Sequence, residues 1–390
     1  MMKPKSVGQT YLAIFLLSMN MRLPIAALPP ILPQIIRASG LPTSLAGIIT
    51  TIPLLLFALG SPLIAKCAAR FGRELTVVFF FALLSLGSLL RIKLAIPTLM
   101  LGTILIGLGI DGGNILLPST IKDKLPHREL LGISLYTGGM NLISAIGIGS
   151  IIALTALWDL TQTMGALFAF SLLSLGGALL LHPPNGNSPV PSGPRGSSLL
   201  AQSPRLGDHR LLWFAGPALL FPDYLAAHDA GHRGLCAKQA SLLVTLVQLV
   251  CLLFTTITPA LYPRPGQNGL VPPLVSLALP AGPAESWLLR WATGGPGGMA
   301  ILIGMAGGMS FNLAIDFFSL KTRQPQETVA ISNMAQAIGY FFAAAGPLTF
   351  GFLHAHLHSW TVVIGLVIIL AAGLLVAGWL VDTKGYLVAD

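Results

Sequence analysis

Asn20-Met-Arg22-Leu-Pro24-Ile-Ala-Ala-Leu-Pro29-Pro30-Ile-Leu-Pro33-Gln sits inside an apolar run that starts shortly after Lys5 and continues to about Ile36. A secretory signal has a shorter, unbroken core and a small-residue cleavage site. This run is too long and too kinked for that, and reads as a first membrane span. An arginine near mid-bilayer costs roughly 2.5–3.5 kcal/mol on insertion scales, so a chain that keeps one gives it a wet cavity or a partner.

The rest of the composition agrees with a membrane span at the start. Of 390 residues, 54% are apolar and only 9% charged, and mean hydropathy is +0.79. A soluble domain is about 25% charged, which excludes a soluble multidomain enzyme and a disordered chain. Cys67, Cys236 and Cys251 are far apart without repeated spacing and provide no disulfide or metal framework. The net charge of +9 would suggest nucleic acid in a soluble protein. In a membrane protein it reflects basic residues holding cytoplasmic loops, so no nucleic-acid partner is expected.

Further apolar segments fall near 45–65, 75–90, 95–118, 131–156 and 163–181, then near 211–227, 239–262, 268–282, 297–320, 328–352 and 360–381. Between the two sets, Pro183 to Arg210 is rich in Pro, Gly and Ser and reads as a flexible linker. The expected organisation is all-α: a six-helix bundle over 1–182, a cytoplasmic linker over 183–210, and a second six-helix bundle over 211–390. With both termini cytoplasmic, Arg37, Arg91, Lys93, Arg233, Lys238 and Arg290 fall outside, Arg22 lies within the membrane, and the other fifteen Lys and Arg fall inside. That excess follows the positive-inside rule. The halves also echo each other. Gly109-x4-Asn114 followed by Lys122-x3-Pro126 is answered about 198 positions later by Gly307-x4-Asn312 and Lys321-x3-Pro325. A parallel repeat of six helices is a common plan for secondary transporters, with the substrate site near the midplane.

These strings resemble the major facilitator superfamily, and within it the branch of cyanate-type and 2-nitroimidazole-type transporters. The first span looks like that branch's Asn-x-Arg-Pro opening, with Leu23 as one extra residue between arginine and proline. Ala69-Arg70-Phe-Gly72-Arg73 is similar to the superfamily's Asp-Arg-x-Gly-Arg loop, with Ala69 in place of Asp. Gly107-Leu-Gly109-Ile-Asp111-Gly-Gly-Asn114, Tyr136-Thr-Gly-Gly-Met-Asn141 and Ser332-Asn-Met-Ala-Gln336-Ala-Ile-Gly339-Tyr340 extend the likeness over most of the first half and the last third. The resemblance implies twelve spans in two pseudo-symmetric halves, working as a monomer. The seventh and ninth candidate spans depart from it. The apolar piece Leu211 to Phe221 has 11 residues and would cross roughly 16 Å of a roughly 30 Å core; the ninth carries Pro272, Pro273 and Pro280.

Arg22 is the sharpest candidate for ligand binding, because a planar fork of donors suits a small anion; the alternative is that it only locks helices together. Asn20, Asn114, Tyr136, Asn141, Gln336 and Tyr340 are the polar candidates to shape the site. Each can hydrogen-bond a small solute, and equally each can tie helices. Asp111 and Asp316 are the acids placed inside spans, as proton carriers or ion-pair partners, Asp111 being a candidate partner for Arg22. Arg70 and Arg73, with Gly72 as the turn, read as a cytoplasmic gating latch. Gly107, Gly109, Gly112, Gly113, Gly138, Gly139, Gly147 and Gly149 read as packing positions. His228, His232 and the His354-x-His356-x-His358 run lack a nearby carboxylate or thiolate set, so no metal is expected, and no cofactor. No phosphate loop or nucleophile elbow is present, which argues against an ATP-driven pump and an enzyme.

The expectation is a secondary-active transporter of a small anion or polar solute, cyanate-like, working by alternating access with proton coupling as an option. It would sit in a bacterial inner membrane with lipid around it. Export of nitroimidazole-like or other drugs is the alternative, and a non-transporting remnant is motivated by the short seventh and ninth spans.

Overall fold

The computed structural model describes residues 7–125, 128–181 and 237–261, with short helical stretches between 297 and 309 and at 339–341. Every regular element among the described residues is helical. Contacts divide the chain into two compact units, Met1–Pro191 and Ser192–Asp390. The linker, the seventh and ninth spans and the histidine clusters lie outside the described residues.

In the first unit, five stretches are long and apolar enough to cross a membrane: Val7–Ser39, Arg73–Arg91, Ile96–Ile121, Leu131–Leu157 and Leu160–Leu181. In lipid the backbone must satisfy its own polar groups, so such stretches become helices. The first stretch is broken, as its prolines foretell. Helix α1 (Val7–Ser18) ends, residues 19–22 form a turn, and α2 (Leu23–Ala26) follows. A single 3-10 turn at Pro29–Ile31 leads into α3 (Leu32–Ser39). Gly40, at φ 69, terminates α3 by returning its N–H to Ile36 O at 3.0 Å.

The second apolar segment is broken by a bend. Helix α4 (Thr43–Leu59) and α5 (Ser61–Phe71) meet at Gly60, where Pro62 has no N–H to donate. Gly72, at φ 84 and ψ 154, then turns the chain into α6 (Arg73–Arg91). Helix α7 (Ile96–Lys124) and α8 (Glu129–Leu157) each have 29 residues, about 43 Å at 1.5 Å per residue, and so overrun a bilayer core of about 30 Å. Helix α9 (Leu160–Leu181) starts with Asp159 Oδ1 accepting the Gln162 N–H at 2.7 Å, an N-cap.

Small residues bring these helices together. A Cβ at Gly87 of α6 would lie 2.6 Å from Gly102 O of α7, and one at Gly102 would lie 2.6 Å from Gly87 O. Gly109 packs on Phe80 O and Leu84, Gly112 on Phe80, and Gly107 on Pro53 and Leu56. The broken half of the first span plugs the bundle: Leu23, Ala27, Leu28, Ile31 and Ile35 form one buried cluster with Ile49, Leu99, Ile151 and Met164.

In the second unit, α10 (Ala237–Leu261) coincides with the apolar segment read near 239–262. Helical residues Gly304 and Gly308 pack on Val247 O, Val250 and Cys251.

Candidate functional site

The turn between α1 and α2 organises the polar interior of the first unit. Pro24 has no N–H for Asn20 O, and the chain unwinds over residues 19–22. Irregular backbone at membrane depth is tolerated where protein or a wet cavity surrounds it. Glycines receive this segment and the residues on either side of it: Ser18 sits against Gly139 and Leu23 against Gly147, both on α8, while Met21 sits against Gly113 of α7. Arg22 is thereby held between the parts of α7 and α8 that carry Asn114, Tyr136 and Asn141.

Arg22 is half-buried and its Nη1 donates to Asn141 Oδ1 at 3.4 Å; Asn141 is 4% exposed. Tyr136 donates its hydroxyl proton to Asn114 Oδ1 at 2.8 Å. A guanidinium can only donate, so it dictates that the Asn141 oxygen faces it. Both amide oxygens are thus engaged, whereas neither Nδ2 donates within the described residues. What these two amides offer a ligand is N–H.

Asn20 is placed differently from Asn141. It is fully buried, and its Nδ2 donates to Phe170 O at 2.8 Å and Ser174 Oγ at 2.7 Å. Ser174 Oγ in turn donates to Leu16 O at 2.6 Å. Asn20 stands in the seam between α1 and α9.

Asp111 is 3% exposed. Among the described residues its Oδ2 has no hydrogen-bond partner, and it faces Gly60, between α4 and α5, where a Cβ would collide with it. Arg22 donates to Asn141 on α8, whereas Asp111 Oδ2 faces Gly60 where α4 and α5 meet. Asp316 and Gln336 lie outside the described residues. Tyr340 is half-buried in the short helical stretch at 339–341 of the second unit.

At the other end of the bundle, Arg73 donates to Ser119 O at 3.2 Å and pairs with Asp123 at the end of α7. Glu74, 6% exposed, pairs with Lys124. Arg70 lies 5.4 Å over the Phe71 ring and is exposed, so of the two latch arginines only Arg73 reaches another helix among the described residues.

Two buried charges went unread in the sequence. Glu74 follows the Gly72-Arg73 pair directly, and its spacing from Lys124 on another helix leaves no local signature. Arg91, expected in an outer loop, is instead 3% exposed, with Nη1 donating to Pro24 O and Nη2 to Thr103 Oγ1, both at 2.8 Å. The physical reason is the close Gly87–Gly102 crossing, which draws the end of α6 inside. Among the described residues no group of three His, Cys, Asp or Glu could hold a metal.

The model for the Major Facilitator Superfamily matches residues 10–344. The chain is 33% identical over 387 residues to the uncharacterized transporter YycB of Bacillus subtilis (strain 168), covering 94% of this chain and 90% of that one. It is 30% identical over 373 residues to the 2-nitroimidazole transporter of Escherichia coli (strain K12), covering 90% and 89%. In structure it resembles a D-xylose-proton symporter with a TM-score of 0.72 at 13% identity, covering 96% of this chain and 97% of the other.

Proposed function

As a member of the Major Facilitator Superfamily this chain is a multi-pass membrane transporter and not an enzyme, and we propose that its cargo is a small, acceptor-rich anion or polar solute held by Arg22. The observation that carries this reading is the donor polarity of the site. Asn141 Oδ1 and Asn114 Oδ1 are engaged by Arg22 and Tyr136, which leaves amide N–H groups beside a guanidinium. Such a surface favours a ligand rich in lone pairs and poor in protons, such as cyanate or a carboxylate. A nitro group has the same two-oxygen face, and the kinship with a 2-nitroimidazole transporter supports export of a nitroimidazole-like drug as the second reading.

In this reading twelve spans in two halves work by alternating access in a bacterial inner membrane, and Gln336 and Tyr340 are further candidates to contact the cargo. Both termini are cytoplasmic and the monomer is the working unit. Asp111 is the coupling-proton carrier. Its Oδ2 is buried against the backbone of Gly60, so a movement of the second apolar segment would open it to water. Asp316 is the second candidate for that role.

The test is uptake in proteoliposomes holding purified protein, with cyanate, nitrate and 2-nitroimidazole as probes, with and without an imposed pH gradient. Arg22→Ala should abolish uptake of the probe that the wild type carries. Asp111→Asn should keep exchange across the membrane while losing gradient-driven accumulation. Undiminished transport by Arg22→Ala would overturn the assignment of Arg22.

A further inference from the structure

Arg91 closes α6 with a buried guanidinium that neither the resemblance nor the site reading employs. Pro24 O, its main partner, is an orphan made by the sequence. Its ordinary i+4 donor, the Leu28 N–H, bonds to Ile25 O at 3.3 Å instead, and Pro29 and Pro30 have no N–H to substitute. Arg91 Nη1 fills the gap at 2.8 Å. Its Nη2 is anchored at 2.8 Å on Thr103 Oγ1, whose own proton goes to Leu99 O at 2.7 Å. Room for the stem comes from Gly102, where a Cβ would lie 3.0 Å from Arg91 Cγ.

Pro24 is two residues from Arg22, and the backbone between them is stiff. Arg22 O accepts both the Ile25 N–H at 3.1 Å and the Ala26 N–H at 3.0 Å, so Arg22 and α2 move as one piece. We infer that Arg91 is a positioning residue: by clamping Pro24 O to the α6–α7 pair it sets where Arg22 stands. This rests on the reading of Arg22 as the ligand contact. The fork is essential to the role, since a lysine offers a point charge and cannot hold both acceptors in fixed geometry. A merely topogenic arginine would lie in water, as the neighbouring exposed Lys93 does.

The experiment uses the full chain with Cys67, Cys236 and Cys251 replaced by Ser. A reporter cysteine is placed at Arg22, or at Ser144, which is fully buried on α8, and labelled with a water-soluble maleimide. Loss of a charge-assisted hydrogen bond should change the labelling rate of Arg22→Cys by about tenfold in Arg91→Lys, and by less in Thr103→Val. Ser144→Cys should stay inert. An unchanged rate at position 22, or an equal rise at Ser144, overturns the inference, the latter because it reports general loosening.

A transport arm runs in the chain with its native cysteines. Arg91→Lys should raise KM for the transported probe, cyanate or 2-nitroimidazole, about tenfold with kcat nearly kept. It should have less than about twofold effect in an Arg22→Lys background, since residues acting as a unit are not additive. An equal factor in both backgrounds overturns the positioning role alone. Full transport by Arg22→Lys and by Arg22→Ala overturns the reading of Arg22, while the labelling arm still decides the clamp.

Discussion

Gly60 and Asp111 show how little room a membrane protein leaves around an acid. A methyl group at position 60 would strike Asp111 Oδ2 and lie 2.7 Å from Leu56 O, so Gly60→Ala should cost about 1–3 kcal/mol as an overpacked site. A lowered melting temperature in detergent, recovered when Asp111 is also cut back to Ser, checks this. Tyr136→Phe removes the proton held by Asn114 Oδ1 and turns a lone pair loose in a surface built of donors. Losing such a bond costs about 0.5–1.5 kcal/mol, so KM for an anionic probe should rise roughly threefold to tenfold. A fall in KM would contradict the donor polarity. Arg22 was legible in the sequence because a charge in an apolar run has no cheap alternative explanation. Arg91 was not, because at the end of an apolar run an arginine reads as a loop charge, and only the helix crossing tells whether the loop or the core receives it.

At the scale of elements, the α6–α7 crossing depends on two glycines whose carbonyls occupy each other's side-chain space. Gly87→Ala and Gly102→Ala should each destabilise the bundle by about 1–3 kcal/mol. Their double variant should lose less than the sum, because one separation of the helices accommodates both methyls; thermal unfolding of the three variants decides it. Additive losses would mean that the helices do not share one contact. The break in the first span was readable from Pro24 and the Pro29-Pro30 pair, since proline removes donors whatever surrounds it. The bend at Gly60 and the seam that absorbs Asn20 were not. Asn20 and Asn141 look alike as amides in apolar spans, and the turn that follows α1 sends one to Phe170 O and Ser174 Oγ while α8 leaves the other facing Arg22.

At the scale of the whole molecule, the positive-inside excess makes an orientation that labelling can test. Lys93, just before α7, and Arg128, just before α8, both exposed, should respond to an impermeant maleimide from opposite sides of the membrane once changed to Cys, Lys93→Cys from outside and Arg128→Cys only after the cell is opened. Labelling of both from one side would reverse or break the topology. Membrane class, helical architecture and family followed from the chain alone, because hydropathy, proline spacing and recurrent short strings belong to residues taken one after another and need no neighbour in space. The pairing of Arg22 with Asn141, the setting of the Asp111 carboxyl against Gly60 and the clamp of Arg91 on Pro24 were decided only by tertiary structure. Each depends on how one helix is turned and offset against another, and the close approach of backbones that sets those turns arises where glycines from distant parts of the sequence meet.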